Sequence, residues 1–278
     1  MRIHELIAKG STRSVEFFPP KTEAGHRNLE AAIAELNELS PSFVSVTYGA
    51  GGTTRDLTRD VVVEINEHNA YPVMPHLTCV GHSRAELVEM LDSYAAAGIV
   101  NILALAGDPP ADGSDPGGDF HYASELVELV REHPGDFSIA VATFPEGHPR
   151  SPDLATDREL LASKLEAADF GITNFFFRAE DYFKMCEDLA ALGCDRPVLP
   201  GIIPMLDPEG VARFAAINGA YFPTDLAAAV DAADEADRFE IAMDAARALS
   251  AELLDGGAPG MHLYCLNRAA AATALFSE

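Results

Sequence analysis

Short apolar runs alternate with amphipathic stretches along the whole chain, and each run is halted by glycine, proline or a polar residue. The clearest lies in Asn101–Pro110 (NILALAGDPP), where Ile102 to Ala106 are apolar without interruption. That is the pattern of a strand buried on both faces of a parallel sheet. Gly107-Asp108-Pro109-Pro110 then forbids a continued ladder and pins a carboxylate at the strand's C-terminal end. Similar runs predict strands at Val15–Lys21, Phe43–Thr47, Tyr71–Thr78, Phe137–Phe144, Phe170–Phe177, Pro197–Ile203 and Gly260–Leu266.

Between them, periodicity near 3.6 predicts helices at Gly25–Leu39, Leu57–Glu67, Ser83–Ala97, Tyr122–Glu132, Asp157–Ala168, Glu180–Leu192, Pro208–Ile217, Leu226–Leu254 (broken near Ala232) and Ala269–Phe276. Ser83 with Glu86 three residues on has the spacing of a capping box. Eight strands alternating with helices, in about the ~250 residues such a fold needs, predict a single (βα)8 TIM barrel spanning 1–278. A doubly wound sheet is the runner-up, but no strand is followed by G-x-G-x-x-G. No stretch is rich enough in proline, serine or charge to act as a linker between domains.

Composition narrows the partners. A formal charge of −25 argues against nucleic acid or an anionic membrane surface. Absence of a spanning-length apolar run, and of a signal-peptide core in MRIHELIAKG, predicts a cytoplasmic, soluble protein. The cysteines Cys79, Cys186, Cys194 and Cys265 lack metal-type spacing and are expected as reduced thiols, with no metal site.

Polar residues recur where the predicted strands end: Glu16, Thr47, His76, Thr78, Asp108, Glu146, His148, Asn174, Asn267 and Arg268. Each alone has a plain reading as a cap, a turn or a satisfied core group. Jointly they mark the C-terminal face, where barrel enzymes build their sites. Glu16 is the sharpest. Beside Phe17 and Phe18 it should be desolvated, with a raised pKa that suits a general acid near neutral pH. The alternative for Glu16 is an ion pair with Lys21.

The motifs VEFFPPK, FVSVTYGAGG, PHLTC, LALAGDPP, YASELV, FPEGHP, ITNFFF, PGIIPM and LYCLNR occur in the order that resembles methylenetetrahydrofolate reductases, from Val15 to Arg268. The resemblance implies a flavin-binding barrel in which NADH or NADPH reduces FAD and hydride then passes to 5,10-methylenetetrahydrofolate, giving 5-methyltetrahydrofolate. It implies that Glu16 is the general acid at N10 and that Asp108 is catalytic, near flavin and pterin. Thr47, His76, Gly107, Asp108, Tyr122, Ala123, Asp157 and Lys164 match flavin contacts. Glu16, Asn174 and Arg268 match substrate contacts, while Phe176 reads as barrel packing. A homo-oligomer is expected by analogy with the family.

Three residues depart from the family pattern. Ala106 stands where an arginine usually precedes Gly-Asp, which removes a planar donor fork near the flavin phosphates. Asn174 replaces a glutamine and is shorter by one methylene, and Val230 stands where some members carry a stacking phenylalanine. Two other functions therefore compete with the flavin enzyme: direct hydride transfer from NADH to the folate, and an inactive folate- or flavin-binding barrel.

Overall fold

The computed structural model describes residues 1–48, 55–108 and 117–277. The glycine-threonine run at 49–54, and Pro109 and Pro110 after Asp108, lie outside them. The strands are β1 (Thr12–Phe17), β2 (Phe43–Val46), β3 (Val73–Thr78), β4 (Asn101–Leu105), β5 (Ser138–Thr143), β6 (Phe170–Thr173), β7 (Val198–Leu199), β8 (Gly201–Ile202) and β9 (Gly260–Leu263). All pair in parallel, in the order β7-β6-β5-β4-β3-β2-β1-β9-β8. The architecture is the predicted TIM barrel. Its seventh strand differs from expectation by breaking in two at Pro200: β7 pairs with β6, and β8 pairs with β9. Proline has no N–H to give a ladder, so the chain changes partner there.

Several predicted strands ran too far toward their C-terminal ends. Strand β1 stops at Phe17, and the next N–H, on Phe18, donates to the Asn267 side chain instead of a neighbouring strand. Phe175 and Phe177 likewise leave β6 and join a smaller core with Ile203, Met205, Val211 and Val230. Val230 is 1% exposed in that core. Phe176 is fully buried and stacks on Tyr182, the packing role expected of it.

Among the described residues the helices are α1 (Ile3–Ile7), α2 (Glu23–Leu39), α3 (Arg55–His68), α4 (Arg84–Ala96), α5 (Ala123–Glu132), α6 (Leu154–Ala167), α7 (Ala179–Ala191), α8 (Pro208–Asn218), α9 (Thr224–Ala232), α10 (Glu235–Asp255) and α11 (Ala269–Phe276). The Ser83–Glu86 capping box that opens α4 is formed as its spacing required. Helix α1 was not foreseen. It plugs the N-terminal mouth: the Ile3 N–H donates to Asn101 Oδ1 at the start of β4, and His4 Nδ1 lies 2.8 Å from Ser138 Oγ at the start of β5. Ile3 and Ile7 close an interior layer of Phe43, Met74, Leu103, Ala140, Phe170, Ile172 and Leu199. Ile3→Ala should therefore cost about 2–4 kcal/mol in urea unfolding, the usual result for a buried aliphatic cavity. A loss well below 1 kcal/mol would mean that α1 does not seal the barrel.

Candidate active site

Strand register assembles the site. Glu16 on β1 is level with Ser45 on β2, and Ser14 is level with His262 on β9. Side chains two apart on a strand share a face, so Ser14 and Glu16 both point inward. Ser45 is also level with Met74, an interior residue of β3, and His76 follows two positions later on the same face. Four strands thus deliver Ser14, Glu16, Ser45, His76 and His262 into the barrel, one layer above the apolar plug.

The side chains meet there. Glu16 Oε2 lies 3.2 Å from His76 Nε2 and 3.7 Å from His262 Nε2. The His76 approach lies off the hydrogen-bond direction, which leaves that buried nitrogen without an aligned partner. His262 is fully buried, stacked on Phe43, with Nδ1 2.8 Å from Ser14 Oγ and Nε2 3.3 Å from Ser45 Oγ. The Ser14 hydroxyl donates to the Met261 carbonyl, so its oxygen accepts from His262 Nδ1–H. Nε2 is thereby turned toward Ser45, whose hydroxyl donates to Glu16 at 3.5 Å.

This geometry corrects the expected acidity of Glu16. Burial does push the carboxyl up, as anticipated for a side chain only 16% exposed. The charge of His76, the close approach of both imidazoles and the charge of His262 outweigh it, and hold the group down at about 2. The carboxylate is therefore ionised at rest. Lys21, the alternative partner, is exposed and takes no part in this cluster. Since the folded value lies below the ordinary 4.5, the cluster's contribution to stability is present above pH 4.5 and drains away as pH falls toward 2. Neighbouring Tyr264 is also held neutral: burial, then the Glu16 charge, push its phenol up, and its hydroxyl donates to the Thr173 carbonyl at 2.6 Å.

A second group lies at the exits of β4 and β5. Gly107 has φ +92° and a Cβ there would come within 3.1 Å of the Thr78 side chain, so the turn that presents Asp108 needs glycine. Asp108 itself is exposed. Lys164 extends from α6 to donate from Nζ to the Ala142 carbonyl at 2.8 Å. Burial pulls its amine down to about 8, against the opposing charge of Asp157. Asp157 is 6% exposed, and protein donors already occupy both of its oxygens. Oδ1 accepts from the His148 N–H and the Ser151 hydroxyl, and Oδ2 accepts from Arg158.

The remaining predicted positions are more dispersed. Thr47 is half-buried at the exit of β2, and its carbonyl accepts from Thr58. Tyr122 is 68% exposed just before α5, whose first residue is Ala123. Asn174 is half-buried beyond β6. Arg268 sits outside the Glu16 cluster, on the rim, where it lines a pocket of about 690 Å³ with Asn28, Glu35, Arg238 and Phe239. Sequence reasoning missed His262, Ser14, Ser45 and Arg158. No group of three or more metal-ligating side chains occurs among the described residues, and no described helix is long and apolar enough to cross a membrane.

Comparison with known proteins places the chain in a family. A family model described as methylenetetrahydrofolate reductase matches residues 2–278. The chain is 38% identical over 263 residues to 5,10-methylenetetrahydrofolate reductase of Pectobacterium carotovorum, covering 92% of this chain and 86% of that one. It is 36% identical to the Escherichia coli reductase over the same shares. Among solved structures, a Clostridium thermocellum protein that binds two copies of 5-methyl-5,6,7,8-tetrahydrofolic acid superposes with a TM-score of 0.70 at 11% identity, covering 100% of this chain and 97% of that one. That last likeness speaks to the fold.

Proposed function

Because the chain belongs to the methylenetetrahydrofolate reductase family, we propose that it reduces 5,10-methylenetetrahydrofolate to 5-methyltetrahydrofolate with NADH or NADPH, using FAD, at the Glu16 cluster. The observation that carries the reading is a carboxylate ringed by two imidazoles in the barrel interior, beneath the C-terminal face. The reaction needs one hydride and one proton. The proton goes to N10, breaking the C–N10 bond and leaving an iminium at N5, and hydride then adds to that carbon.

Glu16 is the final carrier of that proton. Since the carboxylate is ionised at rest, it takes up the proton before giving it to N10, and the groups placed to hand it over are His76, 3.2 Å away, and His262 by way of Ser45. A bound pterin would cover what exposure Glu16 retains, and loss of water raises a carboxyl's pKa toward donation. Asp108, exposed at the exit of β4, is suited to accept a hydrogen bond from the pterin's amino edge. Asn174 and Arg268 are the further substrate contacts.

The residues present fit FAD. The half-buried amine of Lys164 has one carbonyl partner and N–H bonds to spare for a further acceptor. The Gly107 turn, at φ +92° and packed against Thr78, presents Asp108 at the same mouth. Thr47, His76, Gly107, Asp108, Tyr122, Ala123 and Lys164 would hold it, and Asp157 would act with at most one free lone pair. When bound, the flavin supplies a two-electron carrier between nicotinamide and folate.

Ala106 bears on affinity. Ala106→Arg should tighten FAD roughly tenfold, the scale of a charge-assisted phosphate contact, read from flavin absorbance after equilibrium dialysis at two salt concentrations. Unchanged or weaker binding would mean that the flavin phosphates do not pass this position.

A further inference from the structure

Arg158 is 3% exposed on the second turn of α6 and the proton chemistry above does not use it. Its Nη1 donates to the Phe144 carbonyl at 3.1 Å and to Asp157 Oδ2 at 2.9 Å, and Nη2 donates to the Pro145 carbonyl. Nε lies 3.6 Å from Asp188 Oδ2 on α7 and has no hydrogen-bond partner. One guanidinium thus joins the exit of β5, its own helix and the next helix. Burying such a charge is costly, and a core that only needed filling would be served by an apolar side chain. What the charge does here is set a loop.

That loop, Phe144 to Ser151, hangs on Arg158 at one end and on Asp157 at the other. Asp157 receives the His148 N–H at 3.0 Å and the Ser151 hydroxyl at 2.8 Å, while Arg158 fixes the Asp157 oxygen opposite. His148 is carried between these anchors with its ring edge-on to Phe144, and its Nδ1 accepts from the Arg150 N–H. Lys164 and Asp157 of α6, Arg150 of the loop and Asp108 beyond β4 are the charges that act on it. We propose that Arg158 is a positioning residue that holds the His148 loop and the Asp157 carboxylate at the barrel mouth, through the Phe144 and Pro145 carbonyls.

The test keeps the charge and removes the fork: Arg158→Lys. A lysine cannot bridge two carbonyls and a carboxylate in one plane. In cofactor-free protein, His148 titrates below its ordinary 6.5, chiefly through burial and then the nearby cations. If Arg158 positions the loop, the His148 midpoint followed by NMR should rise by about half to one pH unit in the lysine variant as water enters. Because the charge is conserved, that movement reports displacement. An unchanged midpoint in a folded variant would overturn the proposal. Asp188→Asn loosens the Nε arm and a surface pair with Lys184, neither of which holds the loop, so it should leave the midpoint in place and serves as the folded control. A second arm rests on the flavin reading: FAD should bind about tenfold more weakly to Arg158→Lys than to the parent, and equal affinity would count against the proposal. If the parent binds no FAD, the flavin reading fails while the His148 titration still decides the role of Arg158.

Discussion

Glu16→Gln should lower methylenetetrahydrofolate reduction by at least about 100-fold, the usual loss when a general acid is removed. Glutamine matches glutamate in size and can still accept from Ser45, so the barrel should fold and the two imidazoles should stay in place. What it cannot do is receive a proton from His76 or Ser45 and release it to N10. Reaction of the protein with NADH needs no proton on the folate and should proceed at the parent rate. Stopped-flow measurement of the two halves separately makes the comparison. Near-normal folate turnover in the glutamine protein would remove Glu16 from the chemistry.

The second large effect is expected from the partners. Replacing both His76 and His262 by glutamine takes away the imidazole charges and contacts that lower the Glu16 pKa and leaves burial, which raises it, dominant. The carboxyl should then titrate above its ordinary 4.5 instead of near 2. Folate reduction should still fall, by about 10- to 100-fold, because the groups placed to hand a proton to the acid are gone. A stronger tendency to hold a proton coupled with slower proton delivery separates this account from one in which Glu16 acts alone, where a raised pKa would speed the reaction near neutrality. Carbon NMR of labelled glutamate side chains reads the first quantity, and the pH profile of folate reduction reads the second. A Glu16 signal still titrating near 2 would show that the histidines are not its cause.

The barrel was legible because buried parallel strands leave uninterrupted apolar runs, and Ile102–Ala106 is such a run wherever it is read. The ends were not, since Phe18 and Phe175–Phe177 are as apolar as the strands that precede them and differ only in what they pack against. Pro200 could be read as a ladder defect, but its effect, handing the strand from β6 to β9, belongs to barrel closure. Helix α1 was invisible because five residues carry too little periodicity, and its burial comes from strand ends far along the chain.

The site divides similarly. Glu16 and His76 stood out as polar residues in apolar strands. The charge state of Glu16 did not, because desolvation can be read from neighbours in sequence whereas the imidazoles that reverse it arrive from β3 and β9. His262 was concealed in GMHLYCL as one polar residue in a buried run. A signal was present nonetheless: Ser14 and Glu16, then Ser45 and Thr47, then His262 and Tyr264, place polar side chains two apart on neighbouring strands. Two-residue spacing on adjacent inward faces is how a barrel writes a polar layer. Arg158 offered no such sign, as arginine on a helix is ordinarily exposed.

The central claim is tested by product. The purified protein, supplied with methylenetetrahydrofolate and NADH or NADPH, with and without added FAD, should form 5-methyltetrahydrofolate in one-to-one proportion to nicotinamide oxidised, and should do so faster with FAD. Formation of that product at the same rate without any bound flavin would contradict the flavin assignment. No product under any of these conditions, from a folded protein that binds the folate, would contradict the reductase itself.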